Sequence, residues 1–130
     1  MANGYISTGS NQDNTGRVLT FDYQAITDAA TIALVATAYN TVFNISPLGA
    51  NTTLTINTTS TFGIGSNVTI LMKGDITSPI ADYTVTFSTG FEETGVFTLH
   101  GGRHGVAKFV FNGDAWIQIS NFTEAGGAVL

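Results

Sequence analysis

The stretch that decides the fold is Lys108–Ser120, KFVFNGDAWIQIS. Its side chains alternate up to a turn and away from it. Phe109 and Phe111 fall on one face with Val110 on the other, and past the turn Trp116 and Gln118 oppose Ile117 and Ile119. Period-two alternation is a strand pattern, because successive side chains of a strand point to opposite faces. Between the halves stands Asn112-Gly113, a pair that tolerates the positive φ of a tight hairpin turn. Apolar side chains occupy both faces of this hairpin. A sheet with one wet face alternates more cleanly, so the second face is expected to be covered, either by this chain or by another subunit.

The same period runs outward from the hairpin. Upstream, VFTLH, YTVTFST, NVTILMKG, TLTINT and TVFNIS each read as a short strand, with Tyr83, Val85 and Phe87, then Val68, Ile70 and Met72, then Leu54 and Ile56 on single faces. The segments PLGANT, FGIGSN, KGD, TSP and HGGRHG separate them as turns. Further back, RVLTFDY places Leu19, Phe21 and Tyr23 on one face. QAITDAATIALVATAYN is ambiguous: Ile26, Ala30 and Leu34 recur at helical spacing, yet Thr31, Ile32, Val35 and Thr37 are β-branched, which favours extended structure with room for one helical turn. Many short strands with turns between them predict an all-β fold, an antiparallel β-sandwich of jelly-roll-like type. The expected organisation is an extended polar arm over 1–16, a sandwich over 17–123 and a tail over 124–130. The arm is Gly-, Asn- and Ser-rich, with Tyr5 and Ile6 its only large apolar residues. It is expected to dock on a neighbour through Tyr5, Ile6 and Arg17.

Composition narrows the function. The chain has 130 residues, enough to bury one core. It has no Cys, which excludes disulfides, thiolate metal sites and a Cys nucleophile. Nine acids and four bases leave a net charge of −5, which argues against nucleic acid and against an anionic membrane surface. No apolar run is long enough to span a bilayer, and MANGYISTGS lacks the basic and apolar regions of a secretion signal, so synthesis in a cytoplasm is expected. Charged residues are 10% of the chain, against about 25% in an average domain. The surface must therefore be largely hydroxyl and amide, which suits packing against copies of itself or a place in a large assembly.

Tests for catalytic chemistry are negative. His100 and His104 lie four apart in HGGRHG, but the intervening glycines oppose the helix that a metal pair at that spacing needs, and a turn with an exposed His104 is expected. HGG without a G-x-S-x-G elbow is not an esterase signature. Glu92 and Glu93 are neighbours and would point to opposite faces, so they form no acid–base pair. The GIG at Gly63–Gly65 lacks the third glycine and the helix of a dinucleotide site. The N-x-[ST] sequons, such as Asn51-Thr52-Thr53, follow from composition. No enzyme activity, metal or cofactor is expected.

The stretch Ala38–Ser120 resembles a β-rich module of bacteriophage virion proteins, the tail-fibre, head-fibre and capsid-decoration proteins. NTVFNISPLGANTTLTI is similar to its polar strand followed by a small-Asn-Thr-Thr-Leu-Thr strand, and GSNVTILMKGD to its long apolar strand with a charged turn. YTVTFSTGFE resembles its TVTF strand, and GVAKFVFNGDAWIQIS its closing hairpin with an Asn/Asp-Gly turn and a Trp. The resemblance implies a non-enzymatic virion component, often trimeric. A capsid-decoration or head-fibre subunit, bound to the major capsid protein or other virion proteins, fits the length. The alternative is a carbohydrate- or receptor-binding module of a tail fibre that meets a cell-surface glycan through exposed aromatics, for which Trp116, Tyr39 and Tyr83 are candidates. Self-association is expected as a homotrimer, with a dimer as the other arrangement. Phe109, Phe111, Trp116, Ile117 and Ile119 serve as subunit interface or packing residues.

Overall fold

The computed structural model describes residues 11–12, 18–59, 62–77, 79–92 and 95–125. Two short strands, β1 (Asn11–Gln12) and β2 (Val18–Leu19), pair antiparallel with each other. They are followed by β3 (Phe21–Ile26), β4 (Thr31–Leu34), β5 (Asn40–Leu48), β6 (Thr52–Ile56), β7 (Asn67–Gly74), β8 (Tyr83–Phe87), β9 (Gly95–Leu99), β10 (His104–Phe111) and β11 (Trp116–Ala125). There is no helix among the described residues, so the ambiguous segment after Tyr23 is extended, as its β-branched residues favour. A five-stranded sheet has the order β11-β10-β7-β5-β3, and a four-stranded sheet the order β4-β6-β8-β9.

The fold is all-β, but the expectation of an antiparallel, jelly-roll-like sandwich needs correction: both sheets are mixed. From β3 to β8 the chain alternates between sheets, so each return to a sheet runs in the same direction as the last visit. Hence β3 pairs parallel with β5, β5 with β7, β4 with β6 and β6 with β8. Only β8–β9, β7–β10 and β10–β11 in these sheets are antiparallel. The physical reason lies in the connections. A hairpin turn returns the chain beside itself, whereas the short links after β3, β4 and β5 carry it across to the opposite sheet, and a parallel partner requires such a crossover. Alternation along a strand is the same in both cases.

The inner faces of the two sheets share one core. Phe43, Ile45, Val68, Ile70 and Phe109 from the five-stranded sheet meet Leu54, Ile56, Val85, Phe87 and Leu99 from the four-stranded sheet, all of them buried. Phe87 is the aromatic hub. Its ring centroid lies 5.1 Å from Phe91, 5.5 Å from Phe97 and 5.2 Å from Phe109, in edge-on or tilted arrangements that suit the ring quadrupoles.

The hairpin of Lys108–Ser120 forms, but its connection is wider than the two-residue turn expected. Phe111 pairs with Trp116, and the intervening loop is held by Asn112, whose Oδ1 accepts from the N–H groups of Asp114 (2.9 Å) and Ala115 (2.8 Å). Gly113 supplies the positive φ of 105°. The last strand continues to Ala125, two residues beyond the expected end of the domain at 123, because Gly105 and His104 extend the ladder to Glu124 and Ala125.

Candidate functional site

The sheet that ends in β3 owes its outer surface to one local reversal. Alternation groups Phe21 with Tyr23, and apolar residues ordinarily face the core. In β3 the opposite holds: Phe21 is 70% and Tyr23 53% exposed. The polar residues that alternate with them, Asp22 and Gln24, explain it. Asp22 accepts a short hydrogen bond from the Thr37 hydroxyl, and Gln24 Nε2 donates to Thr37 Oγ1 at 2.8 Å and to the Val35 carbonyl at 3.2 Å. The loop after β4 thus claims the polar side of β3, and the aromatic side turns to solvent.

The outward side chains stand in cross-strand rows. At one end Phe21, Asn40, Asn67, Val110 and Ile117 are register neighbours, followed by Tyr23, Val42, Thr69, Lys108 and Ser120. The next row is Ala25, Asn44, Leu71 and Val106, and beyond it Lys73 faces His104. The outward positions of β3, β5, β7 and β10 carry two lysines and no carboxylate, in a chain of net charge −5.

At the Lys73 end the face is hollowed. One cavity of about 460 Å³ is bounded by Tyr23, Ile26, Asp28, Asn44, Ser46 and Pro47. A second, of about 280 Å³, is bounded by Asn44, Ser46, Leu71, Lys73, His104 and Val106. Both are walled by Asn44 and Ser46, so they adjoin. Asn44 Nδ2 donates to Tyr23 Oη at 2.9 Å and orients the ring. Asp28 uses Oδ2 to accept from the Gly49 N–H at 2.9 Å.

The residues expected to matter divide three ways. Tyr5, Ile6 and Arg17 lie outside the described residues. Phe109, Phe111 and Trp116 are buried in the core. Ile117 and Ile119 do reach the outer face, Ile117 half-buried and Ile119 59% exposed. A register shift between Lys108 and Phe109 leaves Ile119 without a partner on β10, so this β-bulge re-aims its side chain. Of the proposed aromatic platforms, Trp116 is fully buried and Tyr39 and Tyr83 are half-buried. Among the described residues the exposed rings are Phe21 and Tyr23, which alternation had grouped on one face.

The histidines do not converge. His104 opens β10, exposed, as the turn reading of HGGRHG expects. His100 joins Glu124 instead: its N–H donates to Glu124 Oε2 at 2.7 Å and its Nδ1 lies 2.8 Å from Oε1, while Asp82 Oδ2 lies 3.7 Å from Nε2. Partial burial would raise the Glu124 pKa, but the hydrogen bonds from His100 and the charges of His100 and Arg103 outweigh it and hold the carboxyl below its ordinary range. This pair ties the end of β11 to the β9–β10 loop. Among the described residues no group of three His, Asp or Glu side chains is disposed to hold a metal ion. No protein-family model matches this chain, and no curated protein matches it in sequence.

Proposed function

We propose that this protein is a non-enzymatic structural subunit of a bacteriophage virion, a capsid-decoration or head-fibre protein. It assembles with copies of itself through the Phe21–Ile117 end of the five-stranded sheet's outer face. The observation that carries the proposal is the apolar group of Val110, Ile117 and the exposed Ile119 at the β10–β11 edge of that face, with Phe21 exposed at its opposite edge beyond Asn67 and Asn40, since exposed apolar side chains grouped in this way mark interaction surfaces. Charge selects the occupant. The outward strand positions of this face carry Lys108 and no carboxylate, in a chain of net charge −5. A face-to-face dimer would set cation against cation. A head-to-tail contact sets the lysine face of one copy on the acidic surface of the next, and heterologous contacts of this kind form a ring when their rotation closes. A ring of three agrees with the trimers of the virion proteins that the sequence resembles, and the neutral Thr and Asn surface suits a crowded shell. Light scattering coupled to size exclusion at micromolar concentration tests it: three subunits are expected, and a mass near one subunit of 13.6 kDa overturns the assembly. Imaging of purified particles tests the location, with ordered copies on the shell expected.

A further inference from the structure

We propose that Asn112 is a self-modifying residue. It loses its side-chain amide to attack by the backbone nitrogen of Gly113 and becomes aspartate or isoaspartate, with water as the only co-reactant. This goes beyond the assembly role and does not depend on it. The site is the loop that joins β10 to β11, where Asn112, Gly113 and Asp114 are all exposed.

The nucleophile is unhindered and unengaged. Gly113 carries no side chain to crowd its nitrogen. The amides around it are all in use: the Asn112 N–H donates to the Ala115 carbonyl at 3.1 Å, and the N–H groups of Asp114 and Ala115 donate to the Asn112 side chain. Among the described residues no acceptor takes the Gly113 N–H. It faces solvent, so hydroxide can remove its proton and free the nitrogen to attack.

The electrophile is activated by the same loop. Asn112 Oδ1 accepts from Asp114 N–H at 2.9 Å and from Ala115 N–H at 2.8 Å. When the Gly113 nitrogen adds to Cγ, negative charge develops on that oxygen. Two backbone donors at these distances form an oxyanion hole, and their bonds to a charged oxygen are stronger than those to the neutral amide. The loop therefore favours the transition state over the ground state. Asn51 and Asn57 lack this combination. Each accepts one backbone N–H through Oδ1, at 2.8 and 2.6 Å, and each is followed by a Thr whose β-branch crowds the attacking nitrogen.

The atoms balance without an oxidant or reductant. The bond from Gly113 N to Asn112 Cγ forms as the Cγ–Nδ2 bond breaks, and the amide leaves as ammonia with the proton lost from Gly113. The cyclic imide then adds water. Opening at Cγ gives aspartate; opening at the backbone carbonyl gives isoaspartate, in which the main chain runs through the side-chain carbons and is longer by a methylene. Either product adds a negative charge to a chain of net charge −5. Isoaspartate also lengthens the loop between Phe111 and Trp116, the pair that closes the hairpin beside the buried indole.

The test is incubation of the full chain at neutral pH in heavy-oxygen water, folded and unfolded in urea, followed by peptide mapping and mass spectrometry. Mapping separates Asn112-Gly113 from Asn3-Gly4, the other Asn-Gly pair, which lies outside the described residues. Asn112 is expected to convert with uptake of a heavy oxygen. Unfolding removes the two donors and leaves the sequence unchanged, so the folded chain should convert about tenfold faster than the unfolded one. That gain is below the roughly hundredfold or more that one such donor gives in a water-excluded active site, because this loop is exposed. Asn51 and Asn57 should stay intact over the same period. Conversion of Asn112 in the folded chain at or below its rate in urea, no conversion in either state, or earlier conversion at Asn51 or Asn57 overturns the proposal.

Discussion

The indole Nε1–H of Trp116 donates to the carbonyl of Asn57 at 2.9 Å, although the two residues are 59 positions apart. The bond ties the start of β11 to the segment leaving β6, so the closing hairpin of one sheet is latched to the other. Phe111 packs against the same indole at 5.1 Å between ring centroids. Trp116→Ala empties a fully buried site and leaves that carbonyl without its partner. Calorimetry should record a loss of about 3–5 kcal/mol, and Trp116→Phe should lose less, because most of the packing is retained. A melting temperature unchanged in Trp116→Ala would refute its role in the core.

Gly90 has φ of 94°, and a Cβ there would lie 2.0 Å from the Ile56 carbonyl oxygen. Its own carbonyl accepts from the Trp116 N–H at 2.9 Å. Gly90→Ala therefore forces backbone apart where β6 and the β8–β9 turn meet. The expected cost is about 3 kcal/mol, read as a lower urea midpoint, and wild-type stability in this variant would show that the close approach is wrongly placed.

Glu124 provides a pH prediction. Its folded pKa is depressed below the ordinary value of 4.5, so the stability it contributes is present above about that pH and is lost as pH falls through the lower folded value. Glu124→Gln should be less stable than wild type at pH 7 by about 1–2 kcal/mol, allowing for solvent screening of a partly exposed group. The two proteins should converge in acid, once the carboxyl is protonated in the folded state as well. Urea unfolding at neutral and acid pH checks this, and a difference that persists undiminished in acid would show that the carboxylate charge is not what His100 holds.

Assembly through the open apolar patch predicts that Phe21→Asp with Ile119→Asp gives a monomer with unchanged far-ultraviolet circular dichroism. Added salt should weaken the wild-type assembly without dissociating it, because the charge contact at Lys108 is screened and apolar burial is not. A double variant that keeps the wild-type mass would place the interface elsewhere.

Deleting residues 1–16 removes β1 but no strand of either main sheet, since the first of these begins at Phe21. The shortened protein is expected to melt as wild type does and to be incorporated poorly into particles. Normal incorporation would deny the segment a docking role.

What the amino-acid sequence determined by itself was the set of inward side chains for most strands. Phe43 with Ile45, Val68 with Ile70 and Met72, Val85 with Phe87, and Phe109 with Phe111 all lie on the faces their alternation assigns, because the strand period is a local property of the backbone. Strand direction was not legible in the same pattern. Whether β5 runs parallel or antiparallel to β3 depends on where the chain goes in between, and alternation is identical either way. The outer-face cleft was hidden for a related reason. Phe21 and Tyr23 look like core residues until Thr37, reached through β4, takes Asp22 and Gln24 as partners. The Lys73–His104 and His100–Glu124 pairings likewise join residues far apart in sequence. Tertiary structure alone decided these features, since each rests on hydrogen bonds and register between segments that meet only when the two sheets close on their common core.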